Sequence, residues 1–149
     1  MKPHTIRVYL YTILTVMAMG VSIVGQQPLN RKPPKYRLAY RDRTVPKPPI
    51  LGVHISVDSK HFNRDDMIAL ARRLNKDFRR EQRVTFVICD EYETAKDPGV
   101  VYDLLRREPP PALRGFYEID RVSGREGISF STERGKPTSE IFVDLSKRP

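Results

Sequence analysis

Three histidines occur in the chain, and His54 and His61 are the two that follow the first fifty residues. Asp58 lies between them, and Asp65 and Asp66 come shortly after. Imidazole beside carboxylate is the pairing used in general acid–base catalysis, and the same groups ligate zinc. Zinc needs at least three converging ligands, however, and this spacing matches no recognised ligand motif. The plainer reading is that Asp58 and Ser59 form a strand-to-helix turn and that His61 is exposed. The chain carries no glycine-rich phosphate loop, no G-x-S-x-G elbow and no C-x-x-C pair. No residue is therefore assigned as catalytic, none as a metal ligand, and no cofactor is expected.

The elements that must position these residues are legible from periodicity. Ile50 to Val57 alternates, with Leu51, Val53, Ile55 and Val57 on one face and His54 and Ser56 on the other, which predicts a half-buried strand. Asn63 is a good N-cap, Asp65 and Asp66 suit the positive end of a helix dipole, and Phe62 can staple onto Met67. Met67, Leu70, Ala71, Leu74 and Phe78 recur at helical spacing, so the helix is expected to reach about Glu81. Val84 to Cys89 is a second strand, and strand, helix and strand together predict a βαβ unit.

Asp97-Pro98 caps a second, shorter helix carrying Val100, Val101, Leu104 and Leu105, which Pro109-Pro110-Pro111 ends. Leu113 to Val122, Glu126 to Thr132 and Glu140 to Leu145 alternate as three further strands. The expected fold is a two-layer α+β domain: a βαβ unit, then the short helix, then a three-stranded antiparallel meander, in a mixed five-stranded sheet. Tyr117, Ile119, Ile128, Phe130, Ile141, Val143 and Leu145 are expected to share the core face with the first helix. Phe116 and Phe142 point to the opposite face, where they are either covered by the short helix or form a patch for a partner.

Charge divides the chain more sharply than its total suggests. The formal net charge is +9, from 27 basic and 18 acidic residues. Lys2 and Arg7 fall in residues 1–25, while Arg31, Lys32, Lys35, Arg37, Arg41, Arg43 and Lys47 stand against Asp42 in residues 26–49. Residues 50–149 then hold 18 basic and 17 acidic residues and are close to neutral. Segment 26–49 also contains Pro28, Pro33, Pro34, Pro46, Pro48 and Pro49. Proline lacks a backbone donor, so this stretch is expected to be an extended basic linker about 3.1 Å long per residue. Its cations are candidate contacts for an anionic lipid or polymer. Within it, Tyr36, Leu38 and Tyr40 alternate as an edge strand would. Arg72, Lys76, Arg79, Arg80 and Arg83 make a basic stripe on or beside the first helix. Asp65, Asp66, Asp77 and Glu81 on the same helix offset it, so nucleic-acid binding is not expected.

Val8 to Gly25 contains no charged residue and follows the short basic run that ends at Arg7. This is the layout of a secretory signal peptide, or else of a membrane anchor at the short end of the spanning range. Export to the periplasm or outside the cell, or anchoring in a membrane, is expected. Cys89 is the only cysteine, so no intramolecular disulfide is possible. The expected organisation is a signal peptide or anchor at 1–25, the linker at 26–49 and one small α+β domain at 50–149.

The run HFNRDDMIALARRLNKDFRREQRVTFVICD, with the later ALRGFYEIDRVSGREGISFST, resembles small exported bacterial proteins that have no assigned function. The resemblance covers most of residues 50–145 and implies no activity, ligand or site residue. The leading expectation is a non-enzymatic interaction module, exported or membrane-tethered, whose partner is a component of the cell envelope. The alternatives are a small hydrolase or metal-dependent enzyme using His54, Asp58 and His61, and an anchored protein facing the cytoplasm that holds anionic lipid or nucleic acid through its basic tail.

Overall fold

A computed structural model describes residues 31–44, 49–100 and 109–147. Six strands form one sheet: β1 (Tyr36–Arg43), β2 (Leu51–Val57), β3 (Arg83–Cys89), β4 (Leu113–Asp120), β5 (Arg125–Phe130) and β6 (Ile141–Asp144). Their order across the sheet is their order in the chain. Strands β2 and β3 are parallel, and every other neighbouring pair is antiparallel. Helix α1 (Arg64–Asp77) links the parallel pair after a 3-10 turn at Ser59–His61, and α2 (Tyr92–Lys96) follows β3. The protein is α+β with a mixed sheet, and the sheet has six strands rather than the expected five.

The sixth strand comes from the proline-rich segment. Pro33 and Pro34 precede β1 and Pro46, Pro48 and Pro49 follow it, so residues 36–43 keep every backbone donor a ladder needs. The strand pairs antiparallel with β2 at the edge of the sheet, a position where charged side chains blunt further pairing. Its register shifts between Leu38 and Tyr40: Leu38 lies opposite Ile55, but Tyr40 lies opposite His54. Ala39 is thus an extra residue, and the bulge turns Tyr40 onto the other sheet face from Tyr36 and Leu38. The alternation of those three residues along one side does not survive it.

Helix α1 begins where local signals place it. The Asn63 side chain accepts the Asp66 amide hydrogen at 3.0 Å, and Asp65 and Asp66 occupy the first turn. Its apolar stripe of Met67, Leu70, Ala71 and Leu74 is fully buried. The stripe packs with Val53, Ile55, Val84, Phe86, Tyr117, Ile119, Ile128, Phe130 and Val143 in the main core. Ile141 and Leu145 lie partly buried at its margin. The helix ends at Asp77 rather than near Glu81. Phe78 leaves helical geometry (φ −105°, ψ 26°) and sets its ring edge-on to Phe86 at 5.0 Å.

The second sheet face carries a smaller cluster of Val87, Cys89, Ala95, Val100, Leu113 and Phe116, with Ala39 against it. Five-residue α2 covers part of this face and packs on β1, β2 and β3. The sequence signalled no helix at 92–96, since Glu91 makes no side-chain capping bond and one turn is too short to show a period. Residues 101–108, which carry most of the expected second helix, lie outside the described residues, as does the apolar segment at 8–25. Among the described residues no helix is long and apolar enough to cross a membrane.

Backbone approach is closest at Gly115 of β4. A Cβ there would stand 2.8 Å from the Phe130 Cβ, so only glycine lets β4 and β5 meet at that point.

Candidate functional site

The acid–base candidates of the sequence do not converge. His54 points from β2 to the face covered by α2, is 5% exposed, and donates its Nδ1–H to the Ala95 carbonyl at 3.2 Å. The Tyr40 ring lies 5.0 Å from it, centre to centre. Burial holds this imidazole below its ordinary value, only partly opposed by the Ala95 carbonyl and by Asp97, so it is neutral at pH 7. His61 sits on the α1 side of the sheet, where its Nδ1–H donates to Asp66 Oδ2 at 2.8 Å. Burial would raise the Asp66 carboxyl, but His61, Asn63 and Arg31 together hold it below the usual carboxylate range.

Asp58 opens the 3-10 turn that carries His61. Its carboxylate accepts the Lys60 amide at 3.1 Å, capping the 3-10 turn, and pairs with Lys60 Nζ at 3.0 Å. The bond from the Lys60 amide, then the Lys60 side chain, keeps it ionised well below neutral pH. Asp58 and His61 thus share one turn, where the His61 amide donates to the Asp58 carbonyl at 3.0 Å, while His54 lies apart on the other sheet face. Among the described residues no three His, Cys, Asp or Glu side chains are grouped so as to hold a metal ion. Cys89 is fully buried, and burial followed by the charges of Asp90 and Glu91 pushes its thiol up to about 12.

An open cleft of about 400 Å³ lies beyond the C-terminal ends of the parallel strands β2 and β3. Lys35, Arg37, Ser56, Asp58, Asp90 and Tyr92 are among the residues that line it. Ligands of α/β sheets collect at such strand ends. Here three of the four charged groups named are already committed, and Lys35 is exposed. The Arg37 guanidinium lies 3.4 Å above the centre of the Tyr92 ring, Asp58 caps its turn, and Asp90 is clamped between two arginines.

Periodicity gave no hint of that clamp. Arg114 Nη1 donates to Asp90 Oδ2 at 2.5 Å, while its Nη2 donates to the carbonyls of Ser131 and Thr132 at 3.1 and 2.6 Å. The guanidinium also lies 4.3 Å from the centre of the Phe62 ring. Arg134 Nε donates to Asp90 Oδ2 at 2.9 Å. Its Nη2 stands 2.8 Å from Asp90 Oδ1 without the alignment of a hydrogen bond. The side chains of Asp90 and Arg114 are 0% and 3% exposed, so this is an interior ion pair joining β3, β4 and the loop after β5.

The cations of the basic segment are placed one by one. Arg31 reaches Asp66 Oδ1 at 3.5 Å and Asp65 Oδ2 at 3.7 Å, in the first turn of α1. Arg43 grips Glu81 with two nitrogens at 3.1 and 3.0 Å, and Arg41 stands 3.7 Å from the same carboxylate. Tyr36 joins the contact by donating its hydroxyl to Asp77 Oδ2 at 2.9 Å; burial, then Asp77, pushes that phenol up to about 12. Residues 31–43 thus run alongside α1 from its first turn to just past its end. Lys32 and Lys35 are exposed, and Lys47 lies outside the described residues. Of the two aromatic candidates for a partner face, Phe116 is 4% exposed within the smaller cluster, and Phe142 is half-buried over Gly127.

This strapping changes the charge balance of α1. Asp65, Asp66, Asp77 and Glu81 offset the helix's basic stripe when charges are counted along the chain. In the fold Arg31, Arg73, Arg41 and Arg43 take up those four carboxylates. Arg72, Lys76, Arg79 and Arg80 remain exposed and have no ion-pair partner among the described residues.

Comparison with protein-family models, with curated proteins and with solved structures finds no match.

Proposed function

We propose that this chain is a non-enzymatic interaction module of the cell envelope, exported or tethered to a membrane by its apolar N-terminal segment. The observation that carries the reading is how the basic segment is used. Its arginines strap residues 31–43 along α1, so the segment builds a charged surface continuous with the domain and is more than a spacer. The separation of His54 from Asp58 and His61, with the Asp58 carboxylate held by Lys60 and the His61 ring by Asp66, weighs in the same direction, because acid–base or metal chemistry needs such groups free and within reach of one another. The sheet order suits a two-layer scaffold for this role: the strand–helix–strand unit β2–α1–β3, extended by the strands β4 to β6 and edged by β1.

The reading is tested by crosslinking in cells that produce the chain, followed by identification of what is captured. Capture of a defined envelope component, retained in an Asp58→Asn/His61→Gln double variant, is the expected result. If that variant abolishes the cellular role of the protein while remaining folded and still captured, the module is an enzyme and the reading is wrong.

A further inference from the structure

We infer that the outer face of α1, together with the turn that follows it, is an electrostatic seat for an anionic phospholipid surface, with Arg72, Lys76, Arg79 and Arg80 as its contacts. This rests on the reading of the chain as a tethered or exported module and names the partner of that module. The first observation is segregation of charge. Once the acids of α1 are bound to Arg31, Arg41, Arg43 and Arg73, the cations left exposed lie at positions 72, 76, 79 and 80. Arg72 and Lys76, four residues apart, lie on the side of α1 away from its buried stripe of Met67, Leu70 and Leu74, and Arg79 and Arg80 are exposed in the turn just past the end of the helix.

The second observation is reach. Arg31 is fixed to the first turn of α1, and Pro34 is buried, so the chain is tied to the domain from residue 31 onward. From Gly25, the end of the apolar segment, to Arg31 the chain takes six residue-to-residue steps, which span at most about 20 Å even fully extended. An apolar segment seated in a bilayer therefore keeps the start of α1 within that distance of the headgroups. This is far closer than a free 24-residue linker would. A basic helix face held there meets anionic lipid at high effective concentration.

Nucleic acid and soluble anionic polymers offer the same sign of charge, but neither accounts for the short connection between helix and apolar segment. Each basic residue near an anionic leaflet contributes roughly a five-fold gain in surface affinity, so four contribute on the order of several hundred-fold before salt screening.

The test uses the full chain with lipid nanodiscs, either wholly phosphatidylcholine or with one-third phosphatidylglycerol, and amine acylation read by mass spectrometry. Lys76 reports the seat, and Lys96 on α2, on the opposite sheet face, is the internal control. The expected result is at least about a five-fold slower acylation of Lys76 in anionic discs at low salt. That protection is lost at high salt and in an Arg72→Gln/Arg79→Gln/Arg80→Gln variant, with Lys96 unchanged. Insertion into both disc types with Lys76 equally reactive in each overturns the lipid seat and leaves the tethered module standing. Association with neither disc overturns both. Protection of Lys76 by a soluble anionic polymer or nucleic acid, but not by anionic discs, also overturns the lipid seat and assigns the face to that partner.

Discussion

Arg114 and Asp90 form an ion pair at 2.5 Å whose two side chains are 3% and 0% exposed. Asp90 directly follows β3 and Arg114 lies on the neighbouring β4, just where the register of β3 and β4 shifts past Ile88. The shift frees Arg114 from the regular ladder and lets its guanidinium reach three acceptor atoms on Ser131 and Thr132, in the loop after β5, as well as Asp90.

Removing one member of a buried pair leaves the other charged and unsolvated, which costs roughly 3–5 kcal/mol. Asp90→Ala and Arg114→Ala are therefore each expected to lower stability by that amount in urea titration. Arg134, about half exposed, touches the same carboxylate from the surface, and Arg134→Ala is expected to cost no more than about 1 kcal/mol. Equal losses at Arg114 and Arg134 would show that the pair is not the interior element described here.

The strand β1 gives a second expectation. Without it, the edge of β2 is bared, and β2 is buried along most of its length. Several ladder hydrogen bonds at a net of roughly 0.5–1.5 kcal/mol each are lost with it. A chain starting at Pro49 is expected to lose on the order of 3 kcal/mol or more and to aggregate, while one starting at Arg31 keeps the stability of the longer chain. Thermal unfolding of the two truncations decides whether residues 36–43 belong to the folded unit.

His54 sets a pH dependence whose sign follows from its burial. Its folded value lies below the ordinary 6.5, so at pH 7 it is neutral in both folded and unfolded chains. As pH falls below 6.5 the unfolded chain takes up a proton that the folded one refuses, and stability declines until the folded value is reached. The contribution of one such group is at most about 1.4 kcal/mol per pH unit. Denaturant midpoints between pH 7 and 5 are expected to fall less steeply in His54→Gln than in the parent chain. Parallel curves would mean that the buried imidazole does not titrate in this range.

Much of the scaffold was legible before any coordinates. Asn63 with Asp65 and Asp66 announces the start of α1, because capping is settled within four residues. The apolar faces of β2 to β6 alternate visibly, and Tyr117, Ile119, Ile128, Phe130 and Val143 do meet α1 in the main core. Helix α2 was invisible for the opposite reason: its one turn is held by packing on three strands, and its own residues signal little. The candidate site was less legible still. His54 and His61 are seven positions apart in sequence but lie on opposite sides of the sheet, since the strand buries one and the turn into α1 carries the other.

By itself the sequence determined β2 to β6 and α1 as elements, where α1 is capped, and that an uncharged apolar segment precedes a basic one. These are local properties, set by side chains within one or two turns of each other. The tertiary structure alone decided that residues 36–43 join the sheet, that a bulge at Ala39 turns Tyr40 toward His54, and that Arg31 and Arg43 neutralise Asp66 and Glu81. Those outcomes depend on which remote segments are brought side by side. Partners 35 to 41 positions apart, as in Arg31–Asp66 and Tyr36–Asp77, leave no periodic trace in either segment. Charge counted along the chain therefore made α1 look balanced, and only the fold shows its outer face to be basic.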